Sequence, residues 1–345
     1  MTRHKFSKEL FTHRPGGDLP SIVVAQTENL QSRFVVQKVL ELREQGIPLG
    51  EIAVLFRSGY LSFDLEIELN KANIPFVKFG GFKFIETAHV KDLVAYLRII
   101  ENPIDAVAWN RILLLVDGVG PRTAERVIEE VLRRRRAPAP VDSSRTLPAL
   151  WSPPHPSSDS LRALFTALAD AAAEPLSPAD RVQSLLTYYD PLFTKRYDDH
   201  TKRRKDLEMF QQIAERYRTL SSFLADLSLE PAAGSVTDIT PGTSEDEKLV
   251  LSTIHSAKGL EWNAVFVLYA LEGRFPSTRA AASEDAMEEE RRLMYVACTR
   301  ARDHLFITYP INIYDRETGL VLSKPSRFIA GFPDALLDTW VIQEE

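Results

Sequence analysis

Short apolar runs alternate with helically spaced apolar positions up to about residue 100. Residues 21–25 (SIVVA) form one run, and 52–56 (IAVLF) form a second, continuous enough for a strand buried on both faces. Between them, 29–45 carry helical spacing through Phe34, Val35, Val39 and Leu42. The pattern predicts a further helix over 61–72, a strand over 75–79 and a helix over 87–100. Alternation of this kind implies a parallel sheet with covering helices. From Asn102-Pro103 the strand signal is lost, and helices are predicted at 106–116, 122–136, 160–173, 178–189 and 201–227. The Pro- and Ser-rich stretch 137–156 reads as a linker. After a polar segment at 231–246, strands return at 249–254, 264–269 and 304–309, with a helix at 288–301. The simplest architecture is an α/β domain from 1–101 and 245–345, interrupted by an all-helical insertion over 102–244. No internal repeat is present.

Composition narrows the class. The chain has 345 residues, 44% hydrophobic and 26% charged, as a globular protein of one large or two modest domains does. No apolar run approaches the roughly 20 residues a bilayer-spanning helix needs. The polar start MTRHKFSKEL has no signal-peptide core. One cysteine, Cys298, excludes an internal disulfide and fits the reducing cytoplasm. A net charge of −6 argues against a generally basic nucleic-acid binder but leaves room for local basic surfaces.

Candidate chemistry concentrates in two segments. In 248–276 (KLVLSTIHSAKGLEWNAVFVLYALEGRFP) a buried strand opens into the small-residue turn HSAKG, where parallel α/β sheets bind ligands. Within 255–261 the turn offers an imidazole, a hydroxyl, an ammonium and a carboxylate; its bland alternative is a polar loop between core strands. In 288–310 (EEERRLMYVACTRARDHLFITYP), Leu293, Val296 and Ala297 form an apolar helix face with Arg300 in line beyond Val296. A guanidinium presented there toward a neighbouring domain can stabilise charge on a transferring phosphoryl group. Glu288–Glu290 read as a solvated helix face. In the insertion, Gly118 and Gly120 open a helix with Pro121, Arg122 and Thr123. Glycines there let backbone N–H groups approach a phosphate, although a tight helix–helix turn needs the same residues. The basic run at 133–136 reads as a solvated helix end more readily than as a DNA track.

TIHSAKGLEW resembles motif V, and EEERRLMYVACTRA motif VI, of superfamily 1 helicases of the UvrD/PcrA/Rep group. AVLFRS with LEIELNKANIPFVKFGGFKFIETAHVKDLVAYLRII is similar to the start of that family's second motor domain, 2A. GVGPRTAERVI resembles the Gly-Ile-Gly hairpin of its 2B insertion, and KPSRFIAGFPDAL its closing segment. The resemblance implies a RecA-like 2A domain interrupted by a helical 2B domain, in the C-terminal half of an ATP-dependent 3′→5′ DNA helicase. It places ATP and Mg²⁺ in a cleft between domains 1A and 2A, with Arg300 as the arginine finger toward the γ-phosphate. Glu261 would contact the nucleotide, and Lys258 and Gly259 would lie near its phosphates, with a loop-solvation role for Lys258 equally open. Thr253, His255 and Arg57 would face single-stranded DNA. Gly118, Gly120, Arg122 and Thr123 would face the duplex of a single-strand/double-strand junction. The resemblance implies no metal ligand and no membrane partner.

Four departures from the family qualify this. No G-x-x-x-x-G-K-[ST] loop and no Mg²⁺-holding acidic pair occur, and the Asn-Tyr-Arg-Ser box before 2A is absent. These losses fall on one side of a single cut, as in a fragment whose partner is the 1A/1B motor half; alone the chain is expected to hold no nucleotide tightly and to be inactive. Gly59 and Phe63 stand where the family has Asn and Arg facing single-stranded DNA. The alternative is a non-catalytic DNA-binding or regulatory module on the same scaffold. A helicase–nuclease half fits poorly, since no cluster of acids and lysine follows motif VI.

Overall fold

The structure, a computed structural model, describes residues 18–80, 83–136, 153, 158–228, 248–315 and 319–343. The expected linker, apart from Pro153, and the polar segment 231–246 lie outside the described residues. Two compact units form, one from the described residues of Met1–Lys83 and Glu230–Glu345, the other from those of Phe84–Leu229.

The first unit begins with β1 (Ser21–Ala25), α1 (Glu28–Glu44), β2 (Ile52–Phe56), α2 (Phe63–Lys71) and β3 (Phe76–Phe79). The second unit contributes α3 (Ala88–Glu101), α4 (Ala106–Leu113), α5 (Pro121–Arg136), α6 (Asp159–Ala172), α7 (Pro178–Arg196), α8 (His200–Ala214) and α9 (Leu220–Leu227). The first then resumes with β4 (Leu249–Thr253), β5 (Trp262–Val267), α10 (Glu284–Cys298) and β6 (Ala301–Pro310). It ends with β7 (Ile313–Asp315), β8 (Leu320–Leu322) and β9 (Asp338–Ile342). Seven strands form one sheet in the order β3-β4-β2-β5-β6-β1-β9, every neighbouring pair parallel. This is the RecA-like α/β arrangement, built from both ends of the chain around a helical insertion. β2 has every residue buried, which its unbroken apolar sequence requires.

Local signals set the element ends. Thr27 caps α1 by accepting from the Leu30 N–H at 3.2 Å, and Glu28 in the first turn complements the helix dipole. At the other end Gly46 takes φ +92°, and the Ile47 N–H returns to the Leu42 carbonyl at 3.0 Å, a glycine-dependent stop.

The boundary between the units falls between Lys83 and Phe84, so α3 packs in the helical unit and not, as expected from the sequence, in the α/β domain. Its Asp92 is the reason. This buried carboxylate accepts from Arg111 Nε of α4 at 2.7 Å and from the Tyr189 hydroxyl of α7 at 2.6 Å. Three helices are therefore tied to one otherwise unaffordable buried charge. The single helix expected over 201–227 is two helices, because Thr219 caps a new start by accepting from the Ser222 N–H at 3.2 Å. Conversely α7 runs through Pro191 to Arg196, its buried Tyr189 and Phe193 packing on either side of the proline. Strand β9 and the antiparallel β7–β8 pair have no counterpart among the predicted strands. No described helix is long and apolar enough to cross a membrane.

Candidate functional site

The parallel register separates the candidate residues onto two edges of one sheet. Phe56 at the end of β2 lies beside Thr253 at the end of β4, while Ile52 at the start of β2 lies beside Ala264 near the start of β5. Residues 254–261 therefore cross from the carboxyl edge to the amino edge. The imidazole of His255 and the carboxylate of Glu261 do not form one cluster, as the turn read in isolation suggests. Gly259, at φ +87°, reverses the chain within this crossing, in a conformation that favours glycine.

At the amino edge, Arg300 follows the last turn of α10. Its Nε donates to the Val296 carbonyl at 3.1 Å, Nη1 to the Leu260 carbonyl at 2.8 Å and Nη2 to the Thr299 hydroxyl at 3.1 Å. The guanidinium thus caps the negative end of its helix. Three of its five N–H groups are used, which leaves one on each terminal nitrogen. Among the described residues no carboxylate pairs with it. Glu261 sits between two residues bonded to Arg300, since the Trp262 N–H donates to the Arg300 carbonyl at 2.9 Å. Its exposed carboxylate has no hydrogen bond or ion pair among the described residues. Buried Trp262 anchors the strand start beneath it. Glu261 and Arg300 thus belong to adjoining stretches of backbone at one sheet edge.

The carboxyl edge gathers Arg57, Thr253, His255 and, from the crossing loop, Lys258. Thr253 and Ser256 hydroxyls are 3.0 Å apart, and the Ala257 N–H returns to the Thr253 carbonyl at 3.1 Å. Burial lowers the His255 pKa below its usual value, and the charges of Arg57 and Lys258 lower it further. Lys258 is exposed and within electrostatic reach of His255. Arg57 is not a loose surface cation: its Nε lies 3.0 and 3.1 Å from the two carboxylate oxygens of Glu290. This corrects the expectation of a solvated face over Glu288–Glu290, because Glu290 is only 3% exposed. Its position in an unbroken run of charges gives no sign of that burial.

Sequence reasoning also missed Gly80, at the end of β3. It adopts φ +79°, and a Cβ there would stand 2.2 Å from Thr253 Oγ1 and 2.8 Å from Ser256 Oγ. The Gly80-Gly81 pair after a strand was the available signal. Gly80→Ala is expected to displace Thr253 and to cost about 1–3 kcal/mol in stability. An unchanged melting temperature would mean that the corner has room for the methyl group.

In the helical unit, Gly118 takes φ +80° in the turn between α4 and α5, and both Gly118 and Gly120 are open to solvent, with nothing within 4 Å of an added Cβ. Arg122 is exposed and unpaired among the described residues, while Thr123 is half-buried. At the far end of α5, Arg133 and Arg134 both hold Glu130 at 2.8 Å and keep its pKa near about 2, so part of the basic run is internally neutralised. Among the described residues no cluster of His, Cys, Asp and Glu is arranged to hold a metal ion.

Comparison with known proteins gives this geometry a family. Curated relatives include the ATP-dependent DNA helicases PcrA of Staphylococcus epidermidis, 32% identical over 349 residues, and of Staphylococcus aureus, 30% identical over 346 residues. Each alignment covers 96% of this chain and 46% of the relative, so the chain spans about half the length of the curated relatives it matches. The crystal structure of the C-terminal domain of a possible DNA helicase from Lactobacillus aligns over 94% of this chain and 86% of that one, at 11% identity and a TM-score of 0.30. The fold assignment rests instead on the strand order above. The family model of the UvrD-like helicase C-terminal domain matches residues 2–135 and 159–311, and the chain belongs to that family.

Proposed function

We propose that the chain is the C-terminal half of an ATP-dependent 3′→5′ DNA helicase or translocase, which supplies the arginine finger and part of the DNA track. The observation that carries this reading is the amino edge, where Arg300 keeps two N–H donors and the adjoining backbone carries Glu261, whose carboxylate has no partner among the described residues. A nucleotide pocket needs a phosphate-cradling loop as its other wall. That wall belongs to a P-loop-bearing 1A/1B half, which also holds Mg²⁺. ATP supplies the phosphoryl group whose transfer drives the cycle. This chain's part is to present positive charge where negative charge develops, with Glu261 orienting the nucleotide from the same edge. A DNA-binding module without ATP chemistry has no use for that pair.

The carboxyl edge is the single-strand track. Thr253, His255 and Arg57 offer it a hydroxyl, an imidazole and a guanidinium, and Lys258, which shares the surroundings of His255, belongs with them. Gly259 turns the loop between the two edges. Gly118, Gly120, Arg122 and Thr123 meet the duplex side of a junction through open backbone N–H groups and the start of α5.

The test is reconstitution. The chain alone is expected to show negligible ATP turnover, and the chain with a P-loop half to hydrolyse ATP in response to single-stranded DNA. Robust turnover by the chain alone would refute the reading. The His255 environment adds a pH prediction. Its neutral form is favoured in the free chain, whereas a nearby phosphate favours the imidazolium. Oligodeoxythymidylate should therefore raise the His255 pKa in an NMR titration, and by linkage the strand should bind tighter as the pH falls through that range. A His255 titration unmoved by DNA would remove it from the track.

A further inference from the structure

Glu290 has no place in the function argued so far, yet it is buried and holds Arg57 of the carboxyl edge. Both of its carboxylate oxygens receive Arg57 Nε, at 3.0 and 3.1 Å, and Oε1 also receives Arg57 Nη2 at 3.0 Å. The Ser277 hydroxyl donates to Oε1 at 3.2 Å. The carboxylate thus grips the inner side of a guanidinium whose side chain is 27% exposed. Nη1 makes no hydrogen bond among the described residues. A fork held in this way has one orientation, with Nη1 on the side of the guanidinium turned away from the carboxylate. His255 is close enough to feel the charges of both Arg57 and Glu290, so the pair stands at the proposed strand track.

We propose that Glu290 is a positioning residue for single-stranded DNA, locking Arg57 through Nε and Nη2 so that Nη1 meets a backbone phosphate beside Thr253 and His255. The inference rests on the proposed function, because it takes the carboxyl edge as the strand track. It also makes α10 a link between the two edges, with Glu290 within the helix and Arg300 just beyond its end.

Plain electrostatics and positioning predict opposite signs. Removing a negative charge near a phosphate should tighten binding, whereas releasing Arg57 should weaken it. The experiment is fluorescence anisotropy of labelled oligodeoxythymidylate with this chain over a range of salt, with circular dichroism melts to confirm folding. Glu290→Gln is expected to weaken binding roughly three- to tenfold. Arg57→Ala should do the same and reduce the salt slope by about 0.7, one phosphate contact on a single strand. The double variant should bind no worse than either single one. Arg57→Lys keeps the charge but not the fork, and should lose nearly as much as Arg57→Ala; it decides the matter if Glu290→Gln does not fold.

Glu290→Gln binding as tightly as wild type or tighter, or additive losses in the double variant, would overturn the assignment of Glu290 alone. Arg57→Lys binding like wild type would do the same. A wild-type chain with no salt-sensitive binding would overturn both this inference and the strand-track reading beneath it.

Discussion

Arg300→Ala in the complete motor is expected to lower DNA-stimulated ATP turnover roughly 10³-fold or more, the scale of an arginine finger. On the proposed reading, the two spare N–H groups of Arg300 would act on charge present only in the transition state, so the loss would fall on kcat. The fold should suffer little. The carbonyls of Val296 and Leu260 lose their guanidinium donor at a half-exposed position, where water replaces it at a cost of about 1 kcal/mol or less. Single-strand binding, at the opposite sheet edge, should stay near wild type. Arg300→Lys should also fail, since one ammonium cannot keep both carbonyls and still reach outward. Turnover within a few-fold of wild type for Arg300→Ala would remove the finger assignment. An equal collapse of melting temperature and turnover would reduce Arg300 to a helix cap.

The second large effect concerns stability at the carboxyl edge. Lys78 and Glu66 form a buried ion pair at 2.7 Å, their side chains 1% and 4% exposed. Lys78 Nζ also donates to the Gly59 carbonyl at 3.1 Å and lies over the Phe63 ring at 4.6 Å. The Ser62 hydroxyl completes the network by donating to Glu66 at 2.7 Å. Lys78→Met removes the ammonium that pairs with the buried Glu66 carboxylate, and should cost about 3–5 kcal/mol in chemical denaturation. Adding Glu66→Gln removes the buried charge as well and should recover much of that loss. A double variant as unstable as the two losses summed would mean that the residues do not act as a pair.

Much of the fold is legible in the sequence because burial writes itself as apolar runs. β2 is unbroken IAVLF, and the helix over 29–45 emerges as Glu28–Glu44. What stayed illegible lies at surfaces and within charges. β9 (DTWVI) adds to the sheet edge next to β1 with all five of its residues exposed or half-buried, so no apolar run marks it. The placement of α3 in the helical unit turns on Asp92, a charge whose burial only its partners on α4 and α7 explain. The same holds at the site. The order of the strands, not the spacing of the motifs, brings Glu261 beside Arg300 and sends His255 to the far edge. Glu290, adjacent in sequence to two other glutamates, differs from them only because Arg57 comes to meet it from residues far away in the chain.

The most direct measurement is a structure of the complete motor bound to ADP and a metal-fluoride mimic of the transferring phosphoryl group. A terminal nitrogen of Arg300 should stand about 3 Å from a fluoride, with Glu261 on the nucleotide from the same edge. A mimic held entirely by other residues, with Arg300 turned away from it, would contradict the account.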